Sequence, residues 1–272
     1  MKRFVFAVLC SMSLAACAQT ADPQAGRKIA VGAATTPAGG ATAPATYPAG
    51  STEARVRDAL RGLAPDIAIE RIEPAPFQGF HQVIAGGQVV YVSDDGKHLL
   101  QGSLLDLVNR KDLSEAAMEP VRRDILAKLP LEDRIVFKAT GAPRHTVVVL
   151  TDVECGYCRK FHNDIAEYNR RGIEVEYMAF PRAGLGSPDY RKMVAVWCAP
   201  DRARALTAAK NDRPVAMASC ARTPVDMQYR AGKRMGLQGT PMILTADGKS
   251  VGGYLPPEEL LKRLDEMEPR GA

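Results

Sequence analysis

The stretch HTVVVLTDVECGYCRKFH, residues 145–162, decides how the rest of the chain is interpreted. Its first six residues are β-branched or apolar except for the leading histidine, which predicts a buried strand. The residues that follow, through Arg170, predict a helix with Phe161, Ile165 and Tyr168 on one side. Two cysteines separated by two residues therefore stand where a strand passes into a helix.

Cys155 is the candidate nucleophile because it falls at the N-terminus of the predicted helix. Free backbone N–H groups and the positive end of the helix dipole favour a thiolate there, and C-x-x-C motifs lower the thiol pKa to between about 3.5 and 7.5. A thiolate attacks a substrate disulfide and forms a mixed disulfide. Cys158 lies further into the helix, and we expect it to be shielded and to resolve that intermediate.

Two other interpretations of the C-x-x-C motif stay open. A structural zinc site needs four ligands, but the sequence has neither a second C-x-x-C nor an H-x-x-x-H. The two cysteines also have the spacing of a permanent local disulfide. Redox chemistry is favoured over both because the motif joins a strand to a helix. No metal and no organic cofactor are therefore expected.

The first sixteen residues predict an export signal. Lys2 and Arg3 precede an apolar run from Phe4 to Leu14, which is too short to span a bilayer as a mature helix. The run LAAC, residues 14–17, resembles a bacterial lipobox, in which Cys17 is lipidated; its small residues also suit an ordinary cleavage site. Either processing delivers the protein to the periplasm, where disulfides persist, and lipidation of Cys17 would tether it to the outer membrane.

Length and charge narrow the function classes further. The chain of 272 residues has room for one large or two modest domains. Its formal net charge is +5, and Lys2 and Arg3 in the signal supply two of those charges. No basic run is interleaved with aromatic residues, so nucleic acid is not an expected partner.

Two segments precede the catalytic part of the chain. Residues 17–50, rich in Ala, Gly, Pro and Thr, predict a disordered tether. Residues 51–112 predict a small α+β module with a first helix and several strands, the last over Leu104–Val108. Its histidines, His81 and His98, are expected to be ordinary strand residues. Such a small module has little core of its own, which favours pairing with a second copy.

A linker helix is predicted over residues 113–131, with Ser114 as its N-cap and Pro120 either kinking it or marking its start. The remaining residues, 132–272, predict the catalytic domain. Its strand, motif helix, second strand, helical insertion over Pro188–Arg234, hairpin and closing helix follow a thioredoxin-like order.

Thr240-Pro241 stands at the head of the first strand of that hairpin. Proline there cannot donate to a strand ladder, and a cis bond would leave the Thr240 backbone free to pair with an extended substrate. The alternative is an ordinary proline at a strand start. The thioredoxin-like context favours the cis bond.

Cys198 and Cys220 both fall in the helical insertion, and Cys17 is the other mature cysteine available to them. In an oxidising compartment we expect a structural disulfide between them; a second redox pair is the alternative. Asp152 and Glu154, just before the motif, either tune the thiols or are solvated loop acids, and the second interpretation is preferred.

These residues together resemble the DsbC-type periplasmic protein disulfide isomerases of Gram-negative bacteria, from Ser51 to Met267. The similarity is carried by the runs IEPAP (72–76), YVSDDGKH (91–98), TDVECGYC (151–158), AFPR (179–182), WC (197–198), GTP (239–241) and GYLPP (253–257).

The resemblance implies a V-shaped homodimer formed by the N-terminal modules, with two thioredoxin-like domains facing an apolar cleft. It implies an inner-membrane electron donor of the DsbD type. It also implies that Cys155 and Cys158 are the redox pair and that Cys198 and Cys220 form the structural disulfide. The expected substrate-binding residues are Gly156, Tyr157, Thr240 and Pro241.

The sequence thus predicts a thiol:disulfide interchange enzyme that isomerises incorrect disulfides in misoxidised or partly folded exported proteins. One alternative is a DsbG-like reductase that protects single cysteines. The other is a holding chaperone that binds unfolded chains without redox chemistry.

Overall fold

The computed structural model describes residues 47–268. The predicted signal over residues 1–16, Cys17 and most of the tether lie outside these residues. Packed structure begins before Ser51, because Tyr47 contacts the apolar cluster between the first helix and the first sheet. Within residues 47–268, no helix is both long enough and apolar enough to cross a membrane.

Helices and strands follow one another in two groups. Within the described residues the α-helices are α1 (Thr52–Leu63), α2 (Leu113–Ala127), α3 (Gly156–Asn163), α4 (Ile165–Arg170), α5 (Pro188–Trp197), α6 (Arg202–Lys210), α7 (Val225–Arg234) and α8 (Pro257–Met267). The strands are β1 (Ile69–Pro74), β2 (Phe80–Ala85), β3 (Gln88–Ser93), β4 (Leu99–Gln101), β5 (Leu105–Asp106), β6 (Lys111–Asp112), β7 (Ile135–Phe137), β8 (His145–Thr151), β9 (Ile173–Ala179), β10 (Met242–Thr245) and β11 (Ser250–Gly252).

The N-terminal module is an antiparallel sheet in the order β1-β2-β3-β4, with α1 packed on one face. The single strand expected over Leu104–Val108 is wrong. A short β5 pairs with β6 instead, because the Asp106 carboxylate accepts hydrogen bonds from the backbone N–H groups of Val108 and Asn109 and turns the chain.

The helix between the two parts, α2, begins at Leu113 rather than at a Ser114 cap. Asp112 is the N-cap, since its carboxylate accepts from the Glu115 N–H at 2.9 Å. The Ser114 hydroxyl is occupied elsewhere: it accepts from the Leu104 N–H and lies 2.8 Å from the Tyr91 hydroxyl. Pro120 lies inside the helix and does not mark its start.

The second sheet has the order β11-β10-β8-β9-β7. The β8 and β9 strands are parallel, as the strand–helix–strand pattern predicts, and the other pairs are antiparallel. The prediction of one continuous helix after the motif is wrong. The structure has two helices there, α3 and α4, which meet at Asp164.

The central strand of this sheet, β8, is buried on both faces, which explains its unbroken apolar sequence. Val147 and Val149 face a core covered by α3 to α6 and α8, whereas Val148 and Leu150 face a second core. Covering both faces fixes the end of β8, from which the motif projects.

We call this second cluster the shared core, because the module, α2 and the second sheet all contribute to it. Its buried residues are Ile84, Val89, Tyr91, Met118, Val121, Ile125, Leu126, Leu129, Val148, Leu150, Met178, Phe180, Ala231, Met235, Leu237, Met242 and Leu244.

The turn between β2 and β3 lies directly against the end of α7. A Cβ atom added to Gly87 would lie 2.1 Å from the Lys233 carbonyl oxygen, and one added to Gly236 would lie 2.4 Å from the Gly87 carbonyl oxygen. Glycine is required on both sides of this contact. Beside it, Arg234 donates two hydrogen bonds to the Glu70 carboxylate, at 2.6 and 2.8 Å.

Candidate active site

The two cysteines of the motif lie at the first turn of α3. Cys155 is the N-cap residue, and its Sγ accepts a hydrogen bond from the Cys158 backbone N–H at 3.4 Å. Both thiols are free, and the two residues are only 3% and 1% exposed. The structure therefore places a reduced dithiol at a helix N-terminus, where a negative charge is favoured.

The two thiols have opposite pKa shifts. The Cys158 thiol donates a hydrogen bond to the Cys155 sulfur, and together with the positive charge of Arg182 it lowers the pKa of Cys155 to about 5. Burial raises the pKa of Cys158 well above its ordinary value. At neutral pH the pair therefore consists of one thiolate and one protonated thiol.

Thr240 and Pro241 lie beside the motif. The peptide bond between them is cis, and the Thr240 carbonyl oxygen lies 3.1 Å from Cys155 Sγ, within hydrogen-bonding distance of the thiol. The pairing of β10 with β8 brings this segment to the motif. Pro241 is buried and Thr240 is partly exposed.

The two residues between the cysteines face solvent. Tyr157 is 65% exposed, and its ring centroid lies 6.4 Å from that of Tyr254. Lys160 Nζ lies 4.6 Å from the Tyr254 ring centroid, a cation–π contact. With the exposed Gly156, these side chains form an open aromatic surface next to Cys155.

The preferred interpretation of Asp152 as a solvated loop acid is wrong. Asp152 is fully buried, and its carboxylate accepts hydrogen bonds from the Glu154 N–H and from the backbone N–H and Nε of Arg182. It thereby holds Arg182 near the thiols. Glu154 is more exposed and forms ion pairs with Arg159 and Lys192.

Cys198 and Cys220 form a disulfide, with their Cα atoms 5.5 Å apart. Cys198 ends α5, and Cys220 lies in the loop before α7, so the bond encloses α6 in a covalent loop. The helical insertion is therefore closed on itself.

Two buried polar residues next to Cys158 are not among the site residues predicted from the sequence. His162, on α3, contacts the Tyr177 hydroxyl and the Thr207 hydroxyl, and burial lowers its pKa to about 3. Lys210, on α6, donates to Thr151 at the end of β8. A signal was present, because Lys210 follows Leu206 by four residues and so shares the apolar face of its helix.

Metal ligation has no support from the described residues. Within positions 47–268, no group of three or more His, Cys, Asp or Glu side chains is arranged to hold a metal ion.

Comparison with known proteins matches both parts of the chain. A family model described as a thioredoxin-like domain covers residues 132–268, and one described as the disulfide bond isomerase protein N-terminal domain covers residues 44–115. Thiol:disulfide interchange protein DsbC of Escherichia coli (strain K12) is 39% identical over 198 residues, 72% of this chain and 81% of that protein.

DsbC of Dickeya dadantii (strain 3937) is 35% identical over 215 residues, 78% of this chain and 87% of that protein. A disulfide interchange protein from Neisseria gonorrhoeae, known from a crystal structure, is 28% identical in sequence. The match covers 50% of this chain and 97% of that chain, with a TM-score of 0.44.

The two family models and the two DsbC relatives confirm the resemblance inferred from the motifs. The fold class is also confirmed: an α+β module, a linker helix and an α/β thioredoxin-like domain with a helical insertion. The chain therefore belongs to the DsbC family of thiol:disulfide interchange proteins, and its activity is that of a thiol–disulfide oxidoreductase and disulfide isomerase.

Proposed function

We propose that the chain isomerises incorrect disulfides in misoxidised or partly folded exported proteins, with Cys155 as the attacking thiol and Cys158 as the resolving thiol. The opposite pKa shifts of the two thiols carry this proposal. Cys155, with a pKa of about 5, is a thiolate at neutral pH. Cys158 keeps its proton, so it does not compete for the substrate in the first step.

Isomerisation begins when the Cys155 thiolate attacks one sulfur of a substrate disulfide. A bond forms between the two sulfurs, and the second substrate sulfur leaves as a thiolate. This thiolate attacks another disulfide of the same substrate. A substrate thiolate finally attacks the substrate sulfur of the mixed disulfide, and Cys155 leaves as a thiolate. No electrons are gained or lost, and the low pKa of Cys155 makes it a good leaving group.

Cys158 provides an exit when the substrate does not rearrange. Its thiolate attacks Cys155 Sγ, the substrate sulfur leaves as a thiolate, and the enzyme is left with a Cys155–Cys158 disulfide. Two electrons must then be returned to restore the dithiol. An inner-membrane donor of the DsbD type is the partner that we propose for this step.

Substrate binding is assigned to Gly156, Tyr157, Thr240 and Pro241. Tyr157 offers an exposed aromatic ring to apolar segments of a partly folded chain. The Thr240 carbonyl is beside Cys155 and accepts hydrogen bonds, so an extended substrate backbone has an acceptor next to the reacting sulfur.

We assign residues 51–112 to dimerisation, residues 113–131 to the linker and residues 132–272 to catalysis. β4 lies at the edge of the module sheet, where its outer backbone groups are available to another strand. Leu99 and Leu100 on this strand are exposed. A second copy of the chain, pairing along β4, would cover them and form a homodimer.

The periplasm is the proposed location, since residues 1–16 have the pattern of an export signal. Lipidation at Cys17 would tether the protein to the outer membrane. Labelling with a radioactive fatty acid tests the tether, and loss of label in Cys17→Ser would assign it to this residue.

Refolding of a scrambled ribonuclease in a glutathione buffer tests the proposed activity. We expect ribonuclease activity to recover faster with the protein than without it, and Cys155→Ser to abolish the gain. Net reduction of the substrate without reshuffling would instead indicate a reductase. Prevention of aggregation that survives Cys155→Ser, without any gain in native disulfides, would indicate a holding chaperone.

A further inference from the structure

Lys210 is a buried lysine beneath the active-site motif that the reaction steps above leave without a role. It ends α6 and is 2% exposed. Its ammonium donates to Thr151 Oγ1 at 2.7 Å and to the Asp152 backbone carbonyl at 3.2 Å. Burying an amine in this way is costly, so a lysine here needs an explanation beyond packing.

The Thr151 hydroxyl connects Lys210 to Cys158. Thr151 is fully buried at the end of β8, and its hydroxyl is also within hydrogen-bonding reach of the Cys158 thiol. Because Thr151 Oγ1 accepts from Lys210, its own proton is free to point toward Cys158. Thr151 is therefore the polar group that stands between the resolving thiol and the amine.

Cys158 needs such a neighbour because water barely reaches it. The resolving step requires the thiolate, yet Cys158 is 1% exposed. The Asp152 carboxylate accepts hydrogen bonds from Glu154 and Arg182, and the group of Asp152 that contacts Lys210 is the backbone carbonyl.

Three contacts hold the helical insertion in the position from which it presents this lysine. Thr207 on α6 contacts His162 on α3 at 3.0 Å, and Asp212 just after α6 pairs with Arg159 at 2.6 Å. The Cys198–Cys220 disulfide encloses the same helix. α6 is therefore held against both the motif helix and the end of β8.

We propose that Thr151 and Lys210 form a proton relay that serves Cys158, with Lys210 as the positioning residue that stores the proton. The proposal rests on the resolving role assigned to Cys158 above. In the forward step, Cys158 gives its proton to the Thr151 oxygen while the Thr151 proton passes to a neutral Lys210. The Cys158 thiolate then bonds to Cys155 Sγ, and the substrate sulfur leaves with the electron pair of the broken disulfide.

When a donor reduces the enzyme, the same path works in reverse. A donor thiolate attacks Cys155, the Cys155–Cys158 bond breaks, and Cys158 leaves as a thiolate. The Lys210 ammonium returns the proton through Thr151. Lys210 can hold and release this proton because burial lowers its pKa to about 8. Both of its protonation states are therefore accessible near neutral pH.

Several groups face Lys210 and enter its titration. The thiols of Cys155 and Cys158 and the carboxylate of Asp152 favour the ammonium, whereas Arg159 disfavours it. His162 is close enough for its charge to interact with Lys210, and the Tyr177 ring centroid lies 5.8 Å from Nζ. The measured pH dependence therefore belongs to the coupled site.

The test separates the two thiol steps in one reaction. The full-length reduced protein is mixed with one equivalent of DTNB, an aromatic disulfide that releases a coloured thiolate. The first release reports the attack by Cys155, and the second reports the attack by Cys158 on the mixed disulfide. Cys158→Ser must lose the second release; if it does not, the assigned role of Cys158 fails, whatever Lys210 does.

Lys210→Met keeps the length of the side chain and removes the amine. We expect it to slow the second release about 100-fold at neutral pH while leaving the first within a few-fold. The wild-type second release should accelerate with an inflection near pH 8, and the variant should lose this inflection. Lys262→Met, on the exposed side of α8, is the matched control and should behave as wild type.

Thr151 variants test the path itself and guard against a folding defect. Thr151→Val, which keeps the shape without the hydroxyl, should also slow the second release, and Thr151→Ser should restore it. Circular dichroism and thermal melting establish that each variant is folded. A folded Lys210→Met protein with the wild-type second rate and pH profile would overturn the relay.

Discussion

Cys155 Sγ lies 3.1 Å from the Thr240 carbonyl oxygen, although 85 residues separate the two in the chain. A protonated Cys155 donates to this carbonyl, but the thiolate has no proton to give. Ionisation of the nucleophile therefore frees an acceptor at the place where a substrate backbone would arrive. The same event that activates the sulfur makes the neighbouring backbone available for binding.

The first prediction concerns the ionisation of Cys155. Alkylation of the reduced protein by iodoacetamide, followed by mass spectrometry of the labelled peptide, should rise with a midpoint at about pH 5. The Cys158 thiol is the largest cause of this low pKa, so Cys158→Ala should move the midpoint upward. Cys158→Ser keeps an O–H donor and should move it less. Equal midpoints in all three proteins would show that the Cys158 donor is unimportant.

Arg182 provides the second prediction. Arg182→Met removes a charge that favours the Cys155 thiolate, so the alkylation midpoint should rise. The stability loss should be only about 1 kcal/mol, because nearly half of the Arg182 side chain is in solvent. Arg191→Met, which alters a contact to the Gly186 carbonyl, is the control and should leave the midpoint unchanged.

Acid stability should depend on His162. Its pKa is about 3 in the folded protein against 6.5 for the free side chain, so folding favours the neutral ring. This contribution is complete above pH 6.5 and is lost as pH falls from 6.5 toward 3. His162→Gln should flatten the fall in Tm over this range, whereas the exposed His98→Gln should not. A wild-type slope in His162→Gln would remove His162 as the cause.

The Cys198–Cys220 disulfide should stabilise the fold through the loop that it closes. Because the cysteines have a sequence separation of 22, the Cys198→Ala/Cys220→Ala double variant should lose about 3 kcal/mol of unfolding free energy. Guanidinium unfolding, monitored by fluorescence of Trp197, measures this loss. A loss near zero would mean that packing alone holds the insertion.

The dimer proposal predicts a specific effect of charge at the β4 edge. Leu100→Lys should convert the protein to a monomer in sedimentation velocity, because an unpaired ammonium would be buried between the copies. Leu131→Lys is the matched control, since Leu131 has similar exposure, 55% against 50%, but lies outside the module. A wild-type protein that sediments as a monomer at all concentrations would exclude the dimer.

Local sequence was sufficient to predict those elements whose structure depends mainly on their own residues. The apolar run in β8 predicted a buried strand. The prediction is correct because both faces of that strand are covered. Cys155 was placed correctly at a helix N-terminus, since a strand signal ends before it and a helix signal begins after it. The prediction of the α2 N-cap failed because Ser114 and Asp112 both suit that position. A contact between Ser114 and the distant Tyr91 decides between them.

The polar interior of the site required the tertiary structure. Asp152 has the local pattern of a loop acid, and only the return of the chain after β9 brings Arg182 to it. Lys210 lies 59 residues from Thr151 in the sequence, in a helix whose position depends on the whole insertion. Spacing within a motif reveals its chemistry, but it does not reveal which distant side chain lies beneath it.

The shared core joins the two parts of the chain that the two family models match separately. Val148 and Leu150 of the central catalytic strand pack against residues that α2 and the N-terminal module supply. A fragment cut at Glu132 would expose this apolar sheet face and would tend to aggregate. The boundary therefore separates two family matches rather than two cooperative folding units. Unfolding the module would also remove packing from the strand that leads to Cys155.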